Sequence, residues 1–287
     1  MIKMKLSQEE IDQFIRLYKS LLIYAKQKNK GFNKLSKEKR MYKDEWLNLR
    51  DILANNMTII DEYINENPYN LKSEELNIIK QWKNGIYSNF FIIEYENEYT
   101  VMYDNQSGKS YAVMSLNDPI SEFIEYIPSY VRTFLLPFKG KIVYDGLINT
   151  DNVIFVGSTL KSIMSMYKKS IAKYGLIKSF DEKINEHSDE ELLKFYLKTK
   201  SNLDNYYDEI EDIIVKNPSL EYIFHKEIGR INSRKIKSKL KDNGVKGFFA
   251  ILTDTVVASA SNKSDLNKRI EEVVPNEKRN WIHIFNI

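Results

Sequence analysis

Cysteine is absent from the 287-residue chain, and that absence excludes disulfides, thiolate catalysis, zinc ribbons and iron–sulfur clusters. Histidine is scarce. His187, His225 and His283 are the only three, and none is spaced as in H-x-x-x-H, so no metal site and no resident cofactor are expected. His225 and Glu227, two residues apart, point to different faces of a helix and do not pair as acid and base. His283 alternates with Ile282 and Ile284 and reads as a strand residue. Long apolar runs are missing too. Stretches such as Phe90 to Ile93 and Phe134 to Leu136 fall far short of the ~18 residues that cross a membrane. The opening MIKMKLSQEE has no apolar core of an export signal, so a cytoplasmic protein without membrane contact is expected. Finally, 43 basic against 40 acidic residues give a net charge of only +3, so any electrostatic case rests on local clusters.

What is present is material for a core: 43% of the residues are hydrophobic, and aromatic residues make up 13% of the chain. Ser7 with Glu10 has the spacing of a capping box, and Ile11, Phe14, Ile15, Tyr18, Leu21, Leu22 and Ala25 follow at helical period. Further helices are expected near Ser36, over 57–64, and over 72–83. From Ile86 the period changes to two, which reads as a β-meander. Strands are expected at 130–138, 141–144 and 153–156, then a helix from Gly157 to Gly175. A second capping box, Ser188 with Glu191, opens a long helical stretch to Lys216, and another helix runs from about Leu220 to Lys241 with Gly244 as its stop. The end of the chain reads strand, strand, helix, strand.

Three segments carry candidate chemistry. Gly108-Lys109-Ser110 imitates the end of a phosphate-binding loop, yet Tyr103 stands where that motif needs glycine and a strand follows, so it reads as a hairpin turn. Gly157-Ser158-Thr159 opens a helix and reads as an ordinary N-terminus. Lys139, Lys141, Tyr144 and Asp145 place two cations, a phenol and a carboxylate on one expected hairpin, a candidate site for an acidic ligand or for catalysis. The most ordered signal is Lys226, Arg230, Arg234, Lys237 and Lys241, whose spacing of four, four, three and four puts all five on one helix face. Phe224, Ile228 and Ile231 lie on a separate face. The larger basic cluster from Lys26 to Arg50 is expected to be less ordered, and less effective for binding.

The run DEYINENPYNLKSEELNIIKQW at Asp61 to Trp82, the strands FIIEYENEYTVMY and YAVMSLNDP, and above all TFLLPFKGKIVYDGLI from Thr133 to Ile148 are similar to an uncharacterised prokaryotic family related to SEC-C-associated proteins. The resemblance covers about Leu47 to Phe180. It implies no catalytic residues, and the Cys-rich SEC-C zinc motif carried by some such relatives has no counterpart in a chain without cysteine.

These observations predict an α+β fold with a helical region at 1–85, a central mixed domain at 86–180 that opens on the meander, a helical connection at 181–243 containing the basic helix, and a ββαβ unit at 244–287. The expected function is non-enzymatic binding of nucleic acid or an acidic protein through the basic helix face. The alternatives are a hydrolase or transferase with its site near 139–145, and a structural or oligomeric protein.

Overall fold

The computed structural model describes residues 6–28, 42–150, 153–184 and 186–287. It is a mixed α+β structure, and its contacts divide it into two compact units, Met1–Glu186 and His187–Ile287.

The first unit begins with four helices, α1 (Gln8–Lys28), α2 (Lys43–Asn55), α3 (Thr58–Glu66) and α4 (Ser73–Gln81). The expected box starts α1: Ser7 Oγ accepts from the Glu10 amide at 3.2 Å, and Glu10 Oε2 accepts from the Ser7 amide at 2.9 Å. The strands follow as β1 (Ile86–Tyr95), β2 (Thr100–Asp104), β3 (Ser110–Met114), β4 (Ser129–Phe138), β5 (Lys141–Tyr144) and β6 (Asn149–Thr150). Then come α5 (Gly157–Tyr174) and β7 (Leu176–Ile177).

Five of these strands close on themselves. β1 pairs β2, β2 pairs β3, β3 pairs β5 in parallel, β5 pairs β4, and β4 returns to pair β1. A strand that comes back beside the first of three meander strands is a Greek key, and the closure leaves no open edge among the five. Register assigns the faces, because directly paired residues share one. Phe90 opposes Val131 and Ile86 opposes Leu135, and these side chains fill the interior with Ile92, Met102 and Val113. The alternate residues point outward. Phe134, Leu136 and Phe138 lie under the N-terminal helices, where the Phe14 and Phe138 rings meet edge to face at 5.3 Å. Gly85 explains how closely that layer approaches: a Cβ there would sit 2.7 Å from both Leu136 Cδ2 and Phe134 Cε2. On another side α5 covers Phe91, Ile93, Val101 and Tyr103 through Ile163.

The second unit contains α6 (Asp189–Tyr196), α7 (Lys200–Asn205), α8 (Tyr207–Lys216), α9 (Glu221–Asp242), β8 (Phe248–Leu252), β9 (Thr255–Ala260), α10 (Lys263–Val273) and β10 (His283–Asn286). Its three strands pair antiparallel in the order β10-β8-β9. Leu266 and Ile270 of α10 pack on Ala250 and Ile282. Ile236 and Leu240 of α9 pack on the other set, Phe249, Ile251 and Phe285. Gly229 permits that approach, since a Cβ there would be 3.2 Å from His283 Cβ and 3.4 Å from Ile251 Cγ2.

The structure departs from the sequence reading in two elements. The helix expected from Ser188 to Lys216 is three helices, because Thr199 caps a new one: its hydroxyl accepts from the Asn202 amide at 3.0 Å, an alternative to the helical ladder that Ser and Thr regularly offer. Residues 153–156 form no strand. The expected helix start near Ser36 lies outside the described residues. Gly108-Lys109 belongs to the β2–β3 turn, where Asp104 Oδ1 accepts from the Gln106 amide at 3.1 Å and Gly108 has φ +69°.

Candidate functional site

Side-chain contacts fasten α9 to the rest of the second unit. Its Asn232 amide donates to Thr253 O at 3.1 Å, and the His225 ring stacks on Trp281 with centroids 3.9 Å apart and planes 6° apart. His225 therefore packs as an aromatic and is not paired with Glu227. Gly244, at φ +67°, donates its amide to Lys241 O and ends the helix, as an αL glycine does.

The five expected stripe residues divide in their roles. Lys226, Arg234 and Lys241 are exposed and Lys237 is half-exposed. None of these four is ion-paired to a carboxylate among the described residues. Arg230 is different. Its guanidinium donates to Leu197 O at 2.9 Å and to Lys198 O at 3.0 Å, and pairs with Glu227. Those carbonyls belong to the C-terminus of α6, so Arg230 caps one helix from the side of another. No residue pattern marks a cation that will find a carbonyl 33 positions away, which is why spacing alone counted it with the other four. Arg230→Ala should destabilise the second unit by about 1–3 kcal/mol through the loss of its charge-assisted hydrogen bonds to the α6 end, while Arg234→Ala stays within about 0.5 kcal/mol. Urea melts followed at Trp281 measure both.

Charge is segregated along this unit. Residues 187–221 hold nine acidic against four basic side chains, and residues 222–287 hold thirteen basic against seven acidic. The other basic cluster, Lys26 to Arg50, contributes little free charge where it is described. Lys26 pairs with Glu45 at 2.7 Å, and Arg50 is 1% exposed; Lys30 to Arg40 lie outside the described residues.

The 139–145 segment does not bring its four candidates together. Lys139 and Gly140, at φ +50° and +74°, form the two-residue β4–β5 turn that this geometry favours. Lys139 and Lys141 there face Glu10 of α1 at 3.8 and 3.9 Å. The hydrogen bond from the Ser7 backbone, helped by these two cations, lowers the Glu10 pKa. Tyr144 and Asp145 lie at the far end of β5, about 10 Å along the strand.

Asp145 is the centre of a buried network. Oδ2 accepts from the Tyr18 hydroxyl at 3.0 Å, and Oδ1 accepts from Thr133 Oγ1 and from the Leu147 amide, each at 3.1 Å. Gly146, at φ +84°, makes the turn that aims the Leu147 amide back at the carboxylate. Arg50 donates to Leu147 O at 2.9 Å and to Asp51 at 3.0 Å, and Tyr87 donates to the same Asp51 oxygen at 2.7 Å. Burial raises the Asp145 pKa to about 6, against the pull of Arg50 and the three donors. It also raises Tyr144 to about 12.

Comparison with protein-family models, with curated proteins and with solved structures finds no match for this chain. The functional reading therefore stands on these residues alone. Among the described residues, no group of three or more His, Asp or Glu is placed to hold a metal ion, and no helix is long and apolar enough to cross a membrane.

Proposed function

We propose that the chain is a non-enzymatic binding protein that docks on a nucleic-acid backbone through α9. The observation that supports this reading is the set Lys226, Arg234, Lys237 and Lys241, left without carboxylate partners among the described residues on a helix that sheet packing already holds in place. Cations on a rigid face lose less conformational freedom on binding than cations on a loop. From Lys226 to Lys241 the face runs about 22 Å, at 1.5 Å per residue, long enough to follow several phosphates of one strand.

The barrel itself lends this reading no support. Five-stranded Greek-key barrels of the OB type bind oligonucleotides on the β2–β3 face and on the β1–β2 and β4–β5 loops. Here the outward Val101 and Tyr103 of β2 are packed against α5, the β1–β2 loop carries Glu96 and Glu98, and the β4–β5 turn faces Glu10. The charge is on α9.

Filter binding or anisotropy with a short duplex and a single strand tests the reading. Release of counterions by up to four contacts gives a log–log salt slope of about −3 to −4 on duplex DNA and a shallower one on single strands. Joint replacement of Arg234, Lys237 and Lys241 by Glu flattens that slope and leaves the far-ultraviolet spectrum unchanged, since exposed charges contribute little to stability. Arg230 is left intact because of its α6 carbonyls. Absence of binding to DNA and RNA at low salt would sink the nucleic-acid reading and turn attention to an acidic protein partner.

A further inference from the structure

The buried Asp145 carboxylate lines a cavity of the first unit. A pocket of about 390 Å³ lies between α1, α2 and the loops at 116–123 and 145–147, within the size range of small-molecule sites. Its walls include Phe14 and Trp46, Phe123 stands half-exposed among its lining residues, Asp145 lines it at 4% exposure, and Asp118 and Lys19 are its exposed charged groups.

An ionised carboxylate has about four acceptor positions. Tyr18, Thr133 and Leu147 occupy three of those of Asp145, and one on Oδ2 is left for a donor. The aromatic walls supply apolar surface, and an aromatic ring attracts a cation placed over its face. The lining carries two carboxylates against one ammonium, with the Arg50 guanidinium behind Asp145 and outside the lining. A donor-bearing, positively charged head on an apolar body meets each of these features. An anionic ligand would meet Asp118 and Asp145 as repulsion, and a neutral alcohol would use the acceptor alone.

We propose that this pocket binds a small organic cation, a protonated amine carried on an aromatic or aliphatic body. The amine donates to Asp145 Oδ2, Asp118 adds attraction at the mouth, and the body lies against Trp46 and Phe123. The site is independent of α9 and of any nucleic acid.

The test uses the full chain labelled with ¹⁵N-tryptophan, which reports through three indole N–H groups: Trp46 in the pocket, Trp82 in the core and Trp281 in the second unit. Phenethylamine, its neutral isostere 2-phenylethanol and the anion 3-phenylpropionate are titrated in turn to about 10 mM, enough to saturate a millimolar site. The expected result is a saturable shift of Trp46 with phenethylamine, weaker with the alcohol and absent with the acid, while Trp281 stays still. Asp118→Asn and Phe123→Ala change exposed side chains and leave the fold intact; each should raise the phenethylamine Kd about threefold to tenfold. Three results overturn the proposal: no Trp46 shift with phenethylamine, equal affinity for the alcohol or the acid, or Kd values unmoved in both variants.

Discussion

Leu135→Asp or Leu136→Asp should each abolish the folded barrel. Both leucines are 0% exposed, yet they are buried for different reasons. Leu135 opposes Ile86 on β1 and Tyr144 on β5 and points into the barrel, whereas Leu136 is on the outward face, against Gly85. An aspartate at either place loses the apolar contacts of leucine, at a cost of about 2–5 kcal/mol, and adds a charge without a partner. A total of that size is comparable with the whole stability of a typical domain, about 5–15 kcal/mol. Circular dichroism and the fluorescence of Trp82, itself 1% exposed and packed on Phe14, report the loss. If either variant melts within a degree of the parent, β4 does not lie where the register puts it.

The sequence showed β5 to the residue, because Lys139-Gly140 before it and Gly146 after it are turn chemistry that acts locally. It showed the capping boxes at Ser7 and Ser188 for the same reason, and the spacing that puts Lys226, Arg234, Lys237 and Lys241 on one helix. It could not show the closure of the barrel. The β1–β4 and β3–β5 pairings join segments far apart in sequence, and alternation says which side chains share a face without saying which strand lies beside which. The partners of Asp145 were hidden in the same way. Tyr18 is 127 positions away, on a helix whose apolar period made the residue look like packing alone. The phrase YDGL has a physical content: Tyr144 ends β5, Asp145 follows it, Gly146 supplies the left-handed turn, and Leu147 returns its amide to Asp145 and its carbonyl to Arg50. Arg230 shows the converse limit, since a regular stripe of cations does not say which of them is already committed to carbonyl groups.

Asp145→Asn should change how the stability of the first unit depends on pH, and in a direction opposite to the usual carboxylate. Glu10, Glu66, Glu75 and Glu186 have lowered pKa values, so each contributes stability that is lost as pH falls. Asp145 is raised, from 3.8 to about 6, by burial. Below about pH 4 it is protonated in both folded and unfolded chains, and its contribution is fully present. Between about pH 4 and 6 the unfolded chain gives up the proton while the folded chain keeps it, so stability falls as pH rises through that window. A shift of this size corresponds to about 3 kcal/mol between the two ends. Asparagine keeps an oxygen for Thr133 and Leu147, and its amide can donate to the Tyr18 hydroxyl oxygen in place of the present bond, so the network persists without a titrating group. Urea melts of both proteins from pH 4 to pH 8 isolate the effect, because the shared glutamates cancel in the difference. The parent is expected to lose stability relative to Asp145→Asn as pH rises from 4 to 6, and to hold a constant gap above that. A gap that does not change across the window would mean that the folded barrel holds Asp145 ionised throughout, its three donors and Arg50 outweighing the cost of burial.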